Sequence, residues 1–358
     1  MDHASRIARV QTRLPESGVD GLLVTNLTNV RYLTGFSGTN GQVLISSSGA
    51  AFLTDPRYEA RAAEMVSGAD VVVYPARLTD VLADRVTGLG IRRLGVEGTS
   101  ITLSERDDLI AGLPGVDLVV TKNVVETLRR VKDAEETALI RAAIAIADEA
   151  FSWVLDRLVP GATEREVGLD LEFHMRGAGA DDLAFPPIVG SGPLSAHIHH
   201  SPSDRTFEKG DLVLLDFGCR RDGYCSDLTR TVVLGSASDD QLELYDLVLR
   251  AQAAGIEAVA PNCRGAEIDG VARKVVVEGG HGDRFGHGLG HGVGLDIHEA
   301  PRLHRISEDR LSVGDVVTVE PGVYLPDRGG IRIEDCVLVT ESGAEVLGSA
   351  PKDRLIEL

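Results

Sequence analysis

The chain has 358 residues, of which 43% are hydrophobic and 25% are charged, as in ordinary globular proteins. This length exceeds that of one average domain and predicts two. The formal net charge of -19 would repel phosphate groups, so it argues against nucleic acid and anionic membranes as partners. The four cysteines form no CxxC pair and indicate free thiols rather than a disulfide framework.

The N-terminal segment lacks the apolar stretch of a secretory signal. No apolar run reaches the roughly 18 residues that a membrane span requires. We therefore expect a soluble, cytoplasmic protein.

The first third of the chain alternates between helical and extended patterns. Helices are predicted over residues 3–17 and 56–65, and strands over residues 21–25, 42–47, 51–55, 71–75, 93–97 and 116–121. This alternation predicts an α/β domain with a mixed or parallel sheet. The pattern changes near Val124, so we place a domain boundary at residue 127, with domains over 1–127 and 128–358.

The second domain combines long helices with two hairpins. Helices are predicted over residues 132–158, 239–260 and 264–278, and another follows Thr163, which forms a capping box with Glu166. The first hairpin joins residues 209–218 to 224–235, and the second joins 314–325 to 330–340. Helices and hairpins in this order are typical of an α+β domain.

The first hairpin carries one aspartate on each strand, Asp216 and Asp227. Their midpoint falls in the turn region, so a simple antiparallel register would place them opposite each other, with Cβ atoms about 4.5–5.5 Å apart. Two carboxylates at that distance repel unless a proton or a cation lies between them. Both lie among apolar strand residues, where an unpaired charge is costly.

The second hairpin repeats this arrangement with Glu320 and Glu334, whose midpoint again falls in the loop. Between the hairpins, the glycine-rich segment 285–298 supplies histidines and would let the backbone approach a metal closely. Each element alone has another interpretation: a flexible glycine loop, or a glutamate paired with Arg332. Their joint occurrence favours a metal centre, and no HExxH, GxSxG, GxGxxG or P-loop motif is present.

These motifs resemble those of a known family. The strings LLDFG, YCSDLTRT, FGHGLGHGVGLDIHEAP, TVEPGVYLP and GIRIED are similar to those of the pita-bread metallopeptidases, most closely the proline-specific branch of Xaa-Pro dipeptidase (prolidase) and aminopeptidase P. The segments 25–40 and 53–62 resemble the creatinase-like N-terminal domain of that branch. The resemblance implies an α/β N-terminal domain followed by a pita-bread catalytic domain, with a curved antiparallel sheet flanked by helices.

The resemblance also implies a set of metal ligands. By motif, two divalent ions would be held by five residues: Asp216, Asp227, His291, Glu320 and Glu334. This oxygen-rich set favours Mn²⁺, with Co²⁺, Zn²⁺ or Fe²⁺ as alternatives. His287 and Thr229 would support the ligands from behind.

Further residues are implied to contact substrate. His199 is the best match to a family histidine, with His197 and His200 as alternatives, and His298 matches a second. Arg332 would fix the Glu334 carboxylate or contact substrate. Arg302 would hold the free carboxylate of a dipeptide, or would be an ordinary surface arginine.

The implied reaction is hydrolysis of the Xaa-Pro bond in a small peptide with proline at P1′, by a hydroxide that bridges the two metals. Glu320 would carry the proton to the leaving nitrogen, while His298 and His199 would steady the intermediate. Dipeptides are the favoured substrates, and cleavage of longer Xaa-Pro peptides, as by aminopeptidase P, is the alternative.

Two other classes of protein fit the sequence less well. A non-catalytic binding protein on the same fold would need a spoiled ligand position, and methionine aminopeptidase usually lacks the N-terminal domain. The family also suggests a homodimer, in which polar residues of the N-terminal domain would form a lid or dimer surface.

Overall fold

The computed structural model describes residues 1–358, which form two compact units, Met1–Arg129 and Arg130–Leu358. The junction between the units falls in helix α6 (Glu126–Arg130), the helix that also contains the predicted boundary at residue 127. None of the helices combines the length and the apolar content that a membrane span requires.

The first unit is built on a six-stranded mixed sheet in the order β4-β3-β2-β1-β5-β6. Its strands are β1 (Gly21–Val24), β2 (Gln42–Ser46), β3 (Gly49–Thr54), β4 (Asp70–Val73), β5 (Arg93–Glu97) and β6 (Asp117–Thr121). The central pairs β1–β2 and β2–β3 are antiparallel, and the outer pairs are parallel. The predicted α/β domain with a mixed sheet is confirmed.

The helices of the first unit are α1 (His3–Arg13), α2 (Leu27–Thr34), α3 (Glu59–Met65), α4 (Leu78–Gly88) and α5 (Leu103–Gly112). Helix α1 is shorter than predicted because Pro15 has no N–H to continue the hydrogen-bond ladder. The predicted helix over residues 56–65 begins as a 3₁₀ turn, Pro56–Tyr58, before α3.

Two asparagines of the first unit have local structural partners. Asn26 caps α2 by accepting from the N–H groups of Thr28 and Asn29. Asn29 donates to the buried Glu97 carboxylate at 2.6 Å. Both asparagines therefore stabilise the fold of their own unit.

In the second unit, helices lie against two antiparallel arrangements of strands. The helices are α7 (Ala134–Val154), α8 (Glu164–Gly177), α9 (Asp239–Ala258) and α10 (Gly265–Glu278). The predicted capping box of Thr163 and Glu166 is present at the start of α8. Helix α7 starts at an additional box formed by Asp133 and Glu136, and ends earlier than predicted, in a 3₁₀ turn.

The strands of the second unit are short and numerous. They are β7 (Asp182–Leu183), β8 (Ile188–Ser191), β9 (Leu212–Phe217), β10 (Cys219–Arg221), β11 (Tyr224–Cys225), β12 (Leu228–Val233), β13 (Gly290–Gly292), β14 (Glu299–Leu303), β15 (Val316–Val319), β16 (Gly322–Leu325), β17 (Gly329–Arg332), β18 (Asp335–Thr340), β19 (Gly343–Val346) and β20 (Ile356–Glu357). The two larger sheets have the orders β20-β12-β9-β8 and β14-β13-β15-β18-β19. All their pairs are antiparallel except β12–β20.

Each larger sheet has its own apolar core. Buried residues of α7 and α8, such as Phe151 and Leu171, pack with Val213 and Leu215 of β9. A second cluster joins α9 and α10 to β15 and β18. Helices therefore cover both sheets, in agreement with the expected fold class.

The register of the first hairpin differs from our prediction. Asp216 lies opposite Thr229, not opposite Asp227. The reason is the two-residue turn Asp222-Gly223, in which both residues have positive φ, as a type I′ turn requires. This turn shifts the register by two residues, so the two aspartates become diagonal neighbours on adjacent strands.

The second hairpin has the predicted register. Its pairs Val319–Asp335 and Gly322–Arg332 flank the two glutamates and place Glu320 opposite Glu334. Both glutamates lie at breaks between paired segments, outside the regular ladder.

Candidate metal centre

Five acidic and histidine side chains predicted from the sequence line one cavity of the second unit, with a volume of about 530 Å³. They come from separate strands or strand ends: Asp216 of β9, Asp227 before β12, His291 of β13, Glu320 after β15 and Glu334 before β18. The two sheets therefore bring together residues that lie up to 118 positions apart in the chain.

Three of these side chains are close enough to share a cation. The possible ligand atoms of Asp227, His291 and Glu334 all lie within 4.8 Å of one another. His291 Nε2 is 3.5 Å from Asp227 Oδ2 and 3.4 Å from Glu320 Oε1.

The ring of His291 is oriented by its own backbone neighbour. Nδ1 lies 3.1 Å from the Gly292 carbonyl, to which it can only donate, so Nε2 presents a lone pair to the carboxylates. Burial, reinforced by His298, lowers the pKa of His291 to about 4. A neutral imidazole held in this way is the form that binds metals.

Asp216 has one satisfied and one orphaned oxygen. Oδ2 accepts from Arg332 Nη2 at 2.5 Å, while Oδ1 is buried without a hydrogen-bond partner. Buried polar atoms are rarely left unpaired, and a cation beside Oδ1 would account for this one.

The pKa values of the carboxyl groups indicate that the site holds more negative charge than the protein around it compensates. Burial and the repulsion of neighbouring carboxylates raise the pKa values of Asp227 and Glu334 well above their usual range. Burial, with a contribution from Asp216, raises the pKa of Glu320 to about 8. Arg332 is the one arginine that lowers the pKa values of all four carboxyl groups, so their full ionisation requires further positive charge. The donor set therefore fits divalent cations.

A series of side-chain hydrogen bonds holds the carboxylates of the cluster in place. Thr229 donates to Glu334 Oε2 at 2.7 Å and accepts from Arg332 Nε at 3.1 Å. Arg332 Nη1 donates to Tyr324 OH at 2.8 Å, and this hydroxyl lies 2.9 Å from His287 Nε2. Arg332 thus pairs directly with Asp216 and is linked to Glu334 through Thr229.

The histidines expected near substrate occupy different positions. His199 and His298 both line the cavity, and the rings of His298 and His291 meet edge to face at 4.4 Å. His200 also reaches the wall, but its Nε2 is bonded to Glu164 at 2.7 Å. His197 is not among the lining residues.

The rest of the cavity wall is divided between apolar and cationic parts. The apolar part is formed mainly by Phe185, Pro186, Pro187, Ile188, Ile198 and Ile297. Arg302 lies in the wall at an exposed position of strand β14, and its guanidinium has no partner within the protein. The wall therefore combines a surface for an apolar group with a free cation.

Several residues around the site were not predicted. Tyr324, Glu164 and the buried ion pair of Lys132 with Glu299, at 3.0 Å, are examples. Glu299 directly follows His298, and Glu164 begins α8. None of these residues carries a local sequence signal of a site. Glu164 lies in the first helical turn, where acidic residues are common for reasons unrelated to a site.

Two family models match the chain. Metallopeptidase family M24 matches residues 138–341, and the creatinase/prolidase N-terminal domain matches residues 6–131. Among curated relatives, an uncharacterized peptidase of Bacillus subtilis is 42% identical over 98% of this chain and 99% of its own. The Xaa-Pro dipeptidase of Pyrococcus furiosus is 37% identical over 98% of this chain and 99% of its own.

Solved structures give the same result. The chain is similar to an Xaa-Pro dipeptidase from Bacillus anthracis, with a TM-score of 0.97 and 41% identity over the whole of both chains. It is also similar to an X-Pro aminopeptidase from Thermotoga maritima, with a TM-score of 0.90 and 34% identity, covering 95% of this chain and 98% of that one. The predicted resemblance is confirmed: the chain belongs to metallopeptidase family M24 and carries the creatinase/prolidase N-terminal domain.

Proposed function

We propose that the protein hydrolyses the Xaa-Pro bond of dipeptides with two divalent metal ions, of which Mn²⁺ is favoured. The observation that carries this proposal is the buried cluster of four carboxylates and one neutral imidazole, with the orphaned Oδ1 of Asp216, beside the unpaired Arg302. The Xaa-Pro dipeptidases among its relatives support the choice of substrate.

The ligands proposed for the two ions are Asp216, Asp227, His291, Glu320 and Glu334. Oxygen-rich shells of this kind suit Mn²⁺, and Co²⁺, Zn²⁺ or Fe²⁺ are alternatives. When bound, two such ions lower the pKa of a water molecule and stabilise negative charge on the scissile carbonyl oxygen.

Glu320 is the proposed proton carrier. Its Oε1 accepts from Thr318 Oγ1 at 3.2 Å, while Oε2 has no hydrogen-bond partner in the protein. The nitrogen of a bond to proline leaves as a secondary amine and must gain a proton. A carboxyl group whose pKa is sensitive to its surroundings can take a proton from water and deliver it to that nitrogen.

His199 and His298 are proposed to steady the oxygen of the tetrahedral intermediate and the leaving proline. Both line the cavity near the carboxylates, and burial lowers the pKa of His298. The apolar wall around Phe185 and Ile198 would contact the proline ring, which has no N–H to satisfy once it is bound in a peptide.

Arg302 is proposed to select dipeptides. Its free guanidinium at the cavity wall matches the carboxylate that only a dipeptide places directly after the leaving residue. The alternative, cleavage of longer Xaa-Pro peptides, is supported by the similarity to the X-Pro aminopeptidase structure. In that case Arg302 would not contact a terminal carboxylate.

The deciding experiment compares Ala-Pro, Ala-Pro amide and Ala-Pro-Ala as substrates of the Mn²⁺-loaded protein, with EDTA-treated protein as control. We expect rapid release of alanine from Ala-Pro, much slower release from the amide and tripeptide, and none after EDTA treatment. Faster cleavage of the tripeptide would favour the aminopeptidase. Full activity after metal removal would refute the metal-dependent mechanism.

A cytoplasmic homodimer completes the proposal. The four cysteines are all free, as suits a reducing compartment. Light scattering tests the oligomeric state, and a fully active monomer would exclude any site shared between subunits.

A further inference from the structure

A buried carboxylate anchors the segment 197–203, which carries His199. Glu164, the first residue of α8, is completely buried. Its Oε2 accepts from His200 Nε2 at 2.7 Å, from Ser203 N at 3.0 Å and from Ser203 Oγ at 2.6 Å. This oxygen therefore ties both the middle and the end of the segment to the helix.

The other oxygen of Glu164 fixes the strand that precedes the segment. Oε1 accepts from Ser191 N at 2.8 Å and from Ser191 Oγ at 2.7 Å, at the end of β8. One carboxylate thus joins α8, β8 and the following segment. Burial opposes its ionisation, yet the hydrogen bonds from Ser203, His200 and Ser191 hold the pKa of Glu164 below its usual value.

His200, the chain neighbour of His199, connects the segment to Glu164. The hydrogen bond from its side chain to Glu164 is the one side-chain hydrogen bond between residues 197–202 and the rest of the unit. The backbone N–H of His200 bonds only locally, to the His197 carbonyl. His199 lines the cavity without a hydrogen-bond partner of its own. The position of His199 therefore depends on the hydrogen bond that His200 makes to Glu164.

We infer that Glu164 is a positioning residue for His199 and acts on the substrate through the His200 and Ser203 contacts. This inference rests on the proposed function, in which His199 contacts the substrate. A misplacement of about 1 Å by a change remote from the reacting atoms can cost on the order of 10²-fold in rate.

The substitution Glu164→Gln tests this directly because an amide cannot replace the carboxylate. Each oxygen of Glu164 accepts from a fixed backbone N–H, that of Ser191 or that of Ser203. Whichever way the amide turns, its NH₂ group faces one of these donors. Glu172→Gln, on the same helix and partly exposed, is the matched control.

The experiment is a double-mutant cycle with His199→Ala, in Mn²⁺-loaded protein with Ala-Pro as substrate. We expect Glu164→Gln to lower kcat/KM about 10- to 100-fold in the natural background, and less than about twofold in the His199→Ala background. Metal content should stay at its original level, and Glu172→Gln should have no effect. Equal losses in both backgrounds would overturn the inference.

A second pair of variants tests the inference if Glu164→Gln does not fold. His200→Leu removes the donor, whereas His200→Gln keeps an N–H that can reach Glu164 Oε2. We expect a loss of kcat/KM in the first variant and substantial recovery in the second. Similar activity of the two variants would contradict the proposed anchor.

Amide hydrogen exchange separates this inference from the proposed function. If the natural protein cleaves no Xaa-Pro bond, the proposed function fails, but exchange in residues 192–207 still tests the anchor. We expect faster exchange there in Glu164→Gln than in Glu172→Gln. Unchanged exchange in this segment would overturn the inference whatever the substrate.

Discussion

Arg332 and Asp216 form a buried ion pair, with Nη2 of the arginine 2.5 Å from Oδ2 of the aspartate. The same guanidinium bonds to Thr229 and Tyr324, so each of its nitrogen atoms has a partner. Arg332 is therefore the one fixed positive charge among the four carboxylates of the cluster, and the protein depends on it most when metals are absent.

Replacing Arg332 with methionine should destabilise the metal-free protein by about 3–5 kcal/mol, because the buried Asp216 would lose its cationic partner. The loss should be smaller in Mn²⁺-loaded protein, in which the metals replace that cation. Urea unfolding with and without EDTA measures both values. Arg328→Met removes an exposed ion pair with Asp240 and should cost less than about 1 kcal/mol in both states. An equal loss for Arg332→Met with and without metal would contradict this account.

The metal-free protein should lose stability as the pH rises from about 7 to 9, above the range in which the buried His287 and His291, whose pKa values are lowered, act in the opposite direction. Burial and carboxylate repulsion raise the folded-state pKa values of Asp227 and Glu334, and burial raises that of Glu320 to about 8. The folded state then binds more protons than the unfolded state, so the free energy of unfolding falls as these protons are lost.

The Tm of EDTA-treated protein, measured between pH 7 and 9, checks this expectation. Glu334→Gln removes one titrating group and should flatten the dependence, and saturating Mn²⁺ should suppress it because metals displace the protons. A Tm of the metal-free protein that rises over this range would refute the charge balance described for the cluster.

Glu320→Gln should lower kcat for Ala-Pro by about 10²- to 10⁴-fold while metal remains bound, since the amide keeps a ligand oxygen but cannot carry the proton. Metal content is measured on the same sample. Glu341→Gln, at an exposed position, serves as the control. Turnover near the natural level with both metals present would exclude the proton-carrying role.

Arg302→Met should weaken kcat/KM for Ala-Pro by roughly 10- to 100-fold, as expected for the loss of a charge-assisted hydrogen bond. Cleavage of Ala-Pro amide, which lacks the carboxylate, should hardly change. Arg305→Met, in the exposed loop that follows β14, is the matched control. A similar loss for both substrates would show that Arg302 acts other than on the carboxylate.

The carboxylate cluster could be predicted from sequence because charge in an apolar strand requires compensation. The apolar residues around Asp216, Asp227, Glu320 and Glu334 suffice for this prediction, and the structure brings the four side chains into one cavity. The register of the second hairpin was also correct, because its loop is centred on the midpoint of the two glutamates.

Contacts between segments that are far apart in the chain could not be predicted from the sequence. Glu164 meets His200 across 36 positions and Lys132 meets Glu299 across 167, and nothing local distinguishes these residues from surface charges. The ion pair of Arg332 with Asp216, 116 positions away, was likewise not predicted. Side-chain pairing of this kind follows from packing, which local patterns do not encode.

The turn Asp222-Gly223 also constrains how this chain can vary. Its two positive φ angles set which residues of β9 and β12 face each other, and so place Asp216 opposite Thr229. A one-residue insertion there would rotate one strand's side chains to the opposite face of the sheet. Homologues that retain the centre should therefore conserve the length of this turn and favour Asn, Asp or Gly at its two positions, whereas surface loops elsewhere are free to grow.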